Sequence, residues 1–370
     1  MTSNTTPVES IADCFRITGA YLEGRPYGGG HINDTYVAAY SHAGTRVRYV
    51  FQRVNEHVFQ QGESLMENIQ RVTEAAREKL RSEGVLDPTR RSLRLIAAKD
   101  GRPFVRDADG RLWRCYLFIE GARTYDIIKD TQQAFEVAKA FGEFQLLASE
   151  ISGPRLHETI PNFHNTRARF QRLCEAVEAD KAGRLAGAVA EWDFIRSREG
   201  IVDVILDLLD RKEIPERITH NDTKLNNVMI DDASGQGICV IDLDTVMPGA
   251  ALYDFGDMVR TATSPALEDE PDTSKVRMQM PMFEALVRGY LASAGGFLNE
   301  AEIAHLAFSG KLITLEIGMR FLTDHLEGDV YFKTKRPGHN LDRCRTQLAL
   351  VKSLEEQETA MNNFVRQAQR

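Results

Sequence analysis

The pattern of apolar residues changes character at Gly121, and this change restricts the fold more than any single motif. From Phe15 to Gly121 the chain reads as short strands and hairpins: "GAYLEG" and "DTYVAAY" flank a loop holding Gly28, Gly29 and Gly30. "VRYVFQRV" follows, and "LRLIAAKDGRPFVRDADGRLWRCYLFIEG" carries Asp-Gly turns at 100–101 and 109–110. One helix interrupts these strands, because Leu65, Ile69, Val72, Ala76 and Leu80 recur at steps of four, three, four and four. After Gly121 come long amphipathic helices, through "TQQAFEVAKAFGEFQLLASEI", "NTRARFQRLCEAVEADKAGRLAGAVAEW" and "EGIVDVILDLLDRK", and the chain closes with helices at about 279–294, 300–327 and 340–368. A single β-hairpin, "NVMIDDASGQGICVIDLD", sits among them. The expectation is an α+β chain of two lobes. Residues 1–121 form a small β-rich lobe with one main helix, ending in a hinge near Phe118–Arg123, and residues 122–370 form a larger helical lobe. A length of 370 residues exceeds the usual size of one core, which supports the division.

Composition removes several classes of function. With a net charge of −8 and no basic stripe, the surface is unsuited to nucleic acid or anionic membrane, which leaves a small-molecule partner. Cys14, Cys115, Cys174, Cys239 and Cys344 are odd in number, far apart and free of any CxxC, a pattern of reduced thiols rather than of disulfides or zinc. "MTSNTTPVESIADCF" lacks the basic and apolar regions of a signal peptide, and no apolar run approaches the roughly 18 residues that span a bilayer. A cytoplasmic, soluble monomer is expected.

The chemistry concentrates in "ITHNDTKLNNVMI", which sets Asn227 five residues after Asp222, ahead of a strand pair that ends at Asp242. The kinase catalytic loop His-x-Asp-x-x-x-x-Asn has this form, and phosphoryl transfer explains it. One Asp orients and deprotonates an acceptor hydroxyl, while an Asn carbonyl and a second Asp hold Mg2+ on the ATP phosphates. His220 is expected to be structural, its imidazole bonding backbone to hold the loop. Asp244 shares a face with Asp242 if the strand persists, and then assists a second magnesium or the substrate; otherwise it is a solvated turn acid. The literal Asp254-Phe255-Gly256 lies twelve residues beyond Asp242 inside "ALYDFGDMVRTA", where Leu252, Phe255 and Val259 recur at helical steps. Asp254 is therefore expected to cap or open a helix that supports the catalytic loop, not to reach the metal.

On these residues the chain resembles the aminoglycoside-phosphotransferase-like branch of the kinase fold, in which Ile-Asp-x-x replaces Asp-Phe-Gly and a "YD-small-x-D" segment follows. The similarity runs along nearly the whole chain, through "GGGHINDTYV", "YVFQRVNEHVF", "LMENIQRVT", "WRCYLFIEG", "HNDTKLNNV", "VIDLDTVMPG", "YDFGDMVR" and "RFLTDHLEGDVYFK". It implies a bilobal protein-kinase-like fold with ATP as co-substrate and Mg2+ as cofactor. Asp222 would be the general base, Asn227 and Asp242 the metal ligands, and Gly28, Gly29 and Gly30 the phosphate cover. Within the family the chain is most similar to enzymes that phosphorylate the anomeric hydroxyl of N-acetylglucosamine or N-acetylgalactosamine.

One departure matters: the strand "YVFQRV" carries no lysine for the phosphates, so Gln52 or Arg53 must serve, with Glu67 as the helix partner. Backbone groups from Phe118 through Glu120 to Gly121 would receive adenine. For the sugar the resemblance points to Arg320, Asp324 and Tyr331, beside Asp222 and Asp244, with His325 near them and His164 on the rim. The C-terminal mixture of Arg320, Lys333, Lys335 and Arg336 with Asp324, Glu327 and Asp329 disfavours a strongly cationic acceptor of the aminoglycoside, choline or homoserine type. A non-catalytic nucleotide-binding scaffold is the reading that the missing lysine motivates. The complete Asp222, Asn227 and Asp242 set argues against it.

Overall fold

The computed structural model describes residues 7–28 and 32–369. A short helix, α1 (Pro7–Ala12), precedes five strands: β1 (Ala20–Pro26), β2 (Asp34–His42), β3 (Thr45–Arg53), then β4 (Val105–Arg106) and β5 (Leu112–Leu117). They form one antiparallel sheet in the order β1-β2-β3-β5-β4, and α2 (Gly62–Ser82) lies between β3 and β4 in sequence. Ala43 and Gly44, both at positive φ, make the tight β2–β3 turn, and from it the register runs unbroken to Asp34↔Arg53.

The period of two along β5 sorts its side chains. Trp113 and Cys115 join Phe15 and Phe51 in a small apolar cluster, while Leu112 and Tyr116 face the other way into the main core. Arg114 shares that second face. The small cluster lies wholly within the first 121 residues, while Leu65, Met66 and Ile69 of α2 belong to a large cluster that continues through the helical part to Val365.

The chain leaves β5 at residue 117 and enters β6 (Ala122–Arg123), which pairs with β8 (Val228–Asp231); residues 118–121 thus link the two sheets. Around them follow α3 (Thr131–Ala148), α4 (Thr166–Ala179), α5 (Val189–Arg196), α6 (Val204–Asp210), β7 (Arg217–Thr219), β9 (Gly237–Val240) and β10 (Met247–Gly249). Then come α7 (Ala251–Ala262), α8 (Met280–Ala294), α9 (Glu300–Ala304), α10 (Leu306–Glu327) and α11 (His339–Ala368). The helix expected at 300–327 is two helices: Asn299 and Glu302 form a capping box that starts α9, and α10 begins anew at Leu306. No helix among the described residues is long and apolar enough to cross a membrane.

Helices α3 and α8 pack closely at two glycines. A Cβ on Gly289 would lie 2.1 Å from the Phe135 carbonyl oxygen, and one on Gly142 would lie 3.0 Å from that of Tyr290. Backbone atoms at such a contact cannot turn aside as a side chain can. Gly289→Ala is therefore expected to destabilise the protein by roughly 1–3 kcal/mol, read as a lowered Tm; an unchanged Tm would mean that the helix pair has slack.

Candidate active site

Strands β7 and β10 pair through Thr219↔Met247, which lays the loop after β7 beside the turn after β9. Further bonds fix the two segments to one another. His220 Nε2 donates to the Ile241 carbonyl (2.9 Å), Ile241 N donates to the Asn227 carbonyl (2.8 Å), and Thr245 Oγ1 donates to the His220 carbonyl (2.6 Å). Asp222 N donates to His220 Nδ1 (3.3 Å), so both ring nitrogens hold backbone, while Phe141 and Phe144 pack edge-on to the imidazole. Asp222, Asn227 and Asp242 are brought together by this lacing.

The three residues are differently placed. Asp222 pairs with Lys224 Nζ at 2.7 Å, and Asn227 Nδ2 donates to its Oδ2 (3.1 Å) and its carbonyl (2.8 Å). Burial works against ionisation of Asp222, but the Lys224 ammonium prevails and holds its pKa below the usual carboxylate range. Asn227 thus spends its amide hydrogens on Asp222, and its Oδ1 accepts nothing among the described residues. Asp242 stands in the left-handed region (φ 58°), which a short polar side chain tolerates where surrounding bonds impose it. Its carboxylate is open to the cleft and has no partner among the described residues. Crowding by the cleft walls, then the charges of Asp244 and Asp222, raise its pKa to about 6.

A partnerless carboxylate beside a free amide oxygen is a hard oxygen donor set that fits magnesium. Among the described residues no three His, Cys, Asp or Glu side chains form a group that could hold a metal. A magnesium held by this chain would take its remaining ligands from phosphate and water, as that ion commonly does.

Asp244 does not share a face with Asp242. Strand β9 ends at Val240, Asp242 turns left-handed, and residues 243–245 form a tight helical turn. Asp244 is consequently buried, ion-paired with Arg114 Nη1 and accepting from Asn33 Nδ2 at 2.6 Å, so it is not a solvated turn acid.

Asp254 lies in the first turn of α7, whose N-cap is Ala250, so it is not the capping residue. Its buried carboxylate accepts from His220 N (2.9 Å), Asn221 N (2.7 Å) and Gln145 Nε2 (2.6 Å), which anchors the loop just ahead of Asp222.

On the sheet, Val50↔Tyr116 and Gln52↔Arg114 pair in register, so Gln52 faces the same side as the buried Arg114 and donates and accepts within it. Its Oε1 accepts from Arg114 Nε (2.9 Å), and its Nε2 donates to Thr35 Oγ1 (3.2 Å). Arg53 points the opposite way, to an ion pair with Asp34 at the surface. Glu67 meets neither residue. The helix phase that buries Leu65, Met66 and Ile69 turns Glu67 outward, where it bonds His157 Nε2 at 2.9 Å. Gly28, after β1, is exposed at φ 73°; Gly29 and Gly30 lie outside the described residues. In the link, Arg48 stacks on the Phe118 ring and pairs with the Glu120 carboxylate.

The acceptor-side expectations divide. The Arg320 guanidinium lies 5.2 Å from the Phe163 ring centroid, 5.7 Å from Phe332 and 5.9 Å from Tyr331. Tyr331 is exposed. Asp324 is spoken for: it accepts from Tyr331 N, Phe332 N and Asn340 Nδ2 and so fixes the turn after α10. His325 is buried beside it. His164 is not on a rim but buried, contacting Glu316 Oε1 (2.8 Å) and the Asn221 carbonyl (3.2 Å).

Lys224, Glu316 and Arg114 also belong to the polar network of the site and stand outside the expected set. The last had a visible signal, since a single arginine inside the apolar run "LWRCYL" must find a buried partner.

The fold is that of a kinase-like protein. The chain belongs to the phosphotransferase enzyme family (APH), whose profile matches residues 23–295. It is similar to the solved aminoglycoside phosphotransferase from Alicyclobacillus acidocaldarius, with a TM-score of 0.57 and 13% identity over 97% of this chain and 95% of that one. It is similar also to a choline/ethanolamine kinase family protein from Mesorhizobium loti (TM-score 0.54, 16% identity, 97% and 98% covered). A choline kinase from Cryptosporidium parvum gives a TM-score of 0.54 at 14% identity, with 96% of each chain covered. Likeness at these identities is likeness of fold. The matched family region ends before Arg320 and Tyr331.

Proposed function

We propose that the chain is an N-acetylhexosamine 1-kinase, which transfers the γ-phosphoryl group of ATP to the anomeric hydroxyl of N-acetylglucosamine or N-acetylgalactosamine. The observation that carries the acceptor class is the wall next to the catalytic loop. Arg320 lies among three aromatic rings, and Arg169, bonded to the Phe163 carbonyl, stands behind it. The acids of that wall are engaged: Glu316 by His164 and Thr166, Asp324 by three in-chain donors. A cationic acceptor calls for free carboxylates there. A neutral sugar, with an apolar face for rings and oxygens for a guanidinium, suits the wall better. His164 links the wall to the Asn221 carbonyl, one residue from Asp222.

In this reading Asp222 takes the proton of the C1 hydroxyl as that oxygen bonds to phosphorus and the bond to the β-phosphate oxygen breaks, releasing ADP. Lys224 keeps Asp222 ionised before the reaction. An anomeric hydroxyl is more acidic than an ordinary alcohol, so a carboxylate of low basicity suffices when it is well placed. Asn227 Oδ1 and Asp242 would hold magnesium, which when bound neutralises charge on the β- and γ-phosphates. Residues 1–121 would supply the nucleotide side, with Gly28, Gly29 and Gly30 over the phosphates, and residues 122–370 the catalytic and acceptor side. At the hinge, Phe118 N, Glu120 O and Gly121 O already bond to Arg48, Arg90 and Asp232, so adenine would use the remaining groups, the Phe118 carbonyl and Glu120 amide among them.

The test is a panel of acceptors with ATP and magnesium, with the product followed by NMR. Turnover of an N-acetylhexosamine to an acid-labile phosphate that has lost its reducing end is expected. Turnover of choline, homoserine or an aminoglycoside in its place, or a product that still reduces, would remove this assignment. Nucleotide binding without turnover on the whole panel would favour the scaffold.

A further inference from the structure

We infer that Arg114 is the cation that grips the nucleotide phosphates, supplied from β5 instead of β3. This rests on the reading above only in taking an adenine nucleotide as ligand. Arg114 is 1% exposed, and it lies on the face of the sheet that looks toward the catalytic turn. Its in-register neighbour on β3 is Gln52, a neutral residue whose Oε1 accepts from Arg114 Nε and whose own amide is steadied by Thr35. Asp244, two residues from the open Asp242, ion-pairs with Arg114 Nη1. The Tyr116 ring lies 5.4 Å from the guanidinium carbon, and Nη2 carries no hydrogen bond among the described residues.

A guanidinium is not buried without a counter-charge and geometric support, and here both are present with one nitrogen left over. The remaining Nη2 can donate to a phosphate oxygen, and the guanidinium brings its full charge beside it. The same arrangement accounts for three departures at once. Residue 52 need carry no charge because it holds a cation, Arg53 can face solvent, and Glu67 can turn to His157 because Asp244 is the acid partner. Asn33 Nδ2, just ahead of β2, also bonds Asp244, so the start of β2 is tied to the same ion pair.

A structural strut would occupy the same place, so the test must read phosphate and not fold. Arg114→Gln alone would strand the buried Asp244; the variant compared is therefore Arg114→Gln/Asp244→Asn, set against Asp244→Asn. Affinities for ADP and for adenosine are measured by calorimetry in EDTA, without sugar, so that neither metal nor acceptor enters. Loss of Arg114 is expected to weaken ADP by about 10- to 100-fold, the scale of a charge-assisted contact, and to leave adenosine unchanged. Adding Gln52→Lys to the double variant, which returns a cation from β3, should recover most of the ADP affinity. Equal ADP affinity in the double and single variants overturns the inference, as does a parallel loss of adenosine binding, which would mark Arg114 as a strut. If the unaltered protein binds neither ADP nor adenosine, the nucleotide reading itself fails and this inference with it. A negative acceptor panel leaves the ADP comparison standing.

Discussion

Asp222→Asn is expected to lower turnover by about 10²–10⁴-fold, the usual contribution of a positioned general base, while ADP affinity and Tm stay close to those of the unaltered protein. The geometry separates these effects. Asn227 Nδ2 donates to the Asp222 carbonyl and to Oδ2, and an asparagine at 222 retains an amide oxygen that can take the second bond. The pair with Lys224 is partly solvent-exposed, with 43% of the lysine side chain accessible, so its loss has little effect on stability. What the substitution removes is a group able to accept a proton. Single-turnover rates with saturating ATP and acceptor measure it. A variant with near-normal rate would take Asp222 out of the mechanism, and one whose rate and ADP affinity fall together would assign it to site architecture instead of proton transfer.

The parts of the site that were legible in the sequence are those whose spacing local structure enforces. Asp222 and Asn227 share one short loop, and Asp242 follows a β-hairpin of fixed length, so their separation along the chain translates into proximity. Asp254 was legible by the same reasoning in reverse: a helical repeat around it left no strand end from which to reach a metal. Errors arose where a local pattern was carried one step too far. A strand continuing past Asp242 would put Asp244 on the same face, but His220 claims the Ile241 carbonyl and Asp242 turns left-handed, so the alternation stops. Only the resemblance puts Glu67 beside the strand cation, and the phase of Leu65, Met66 and Ile69 turns it outward. The ion pair of Arg114 with Asp244 joins residues 130 apart in the chain, and no periodicity reports a contact of that kind. The fold class needed only the change of texture at Gly121. The continuity of the core from α2 into the later helices needed the tertiary structure.

The second large effect is expected to separate Asp254 from Asp242 by opposite consequences. Asp254→Ala leaves the amides of His220 and Asn221 and the side chain of Gln145 without their acceptor in a buried setting. Removing one partner from a buried charged network typically costs about 3–5 kcal/mol, so a large fall in Tm is expected, with the catalytic loop loosened as a result. Asp242→Asn removes a carboxylate that has no partner and whose pKa is raised to about 6, above the roughly 3.9 of an unfolded aspartate. The native state then binds that proton more tightly than the unfolded chain does. The stability associated with it is fully present below about pH 4, declines as pH rises through about 6, and is absent at pH 7–8. Asp242→Asn should therefore raise Tm at pH 7–8 and converge with the unaltered protein near pH 4, while magnesium-dependent nucleotide binding is lost. Melting curves across pH, paired with ADP titrations with and without magnesium, read both arms. If Asp254→Ala folds normally and loses magnesium-dependent binding while Asp242→Asn keeps it, the metal belongs to the literal Asp-Phe-Gly and the assignment of Asp242 is wrong.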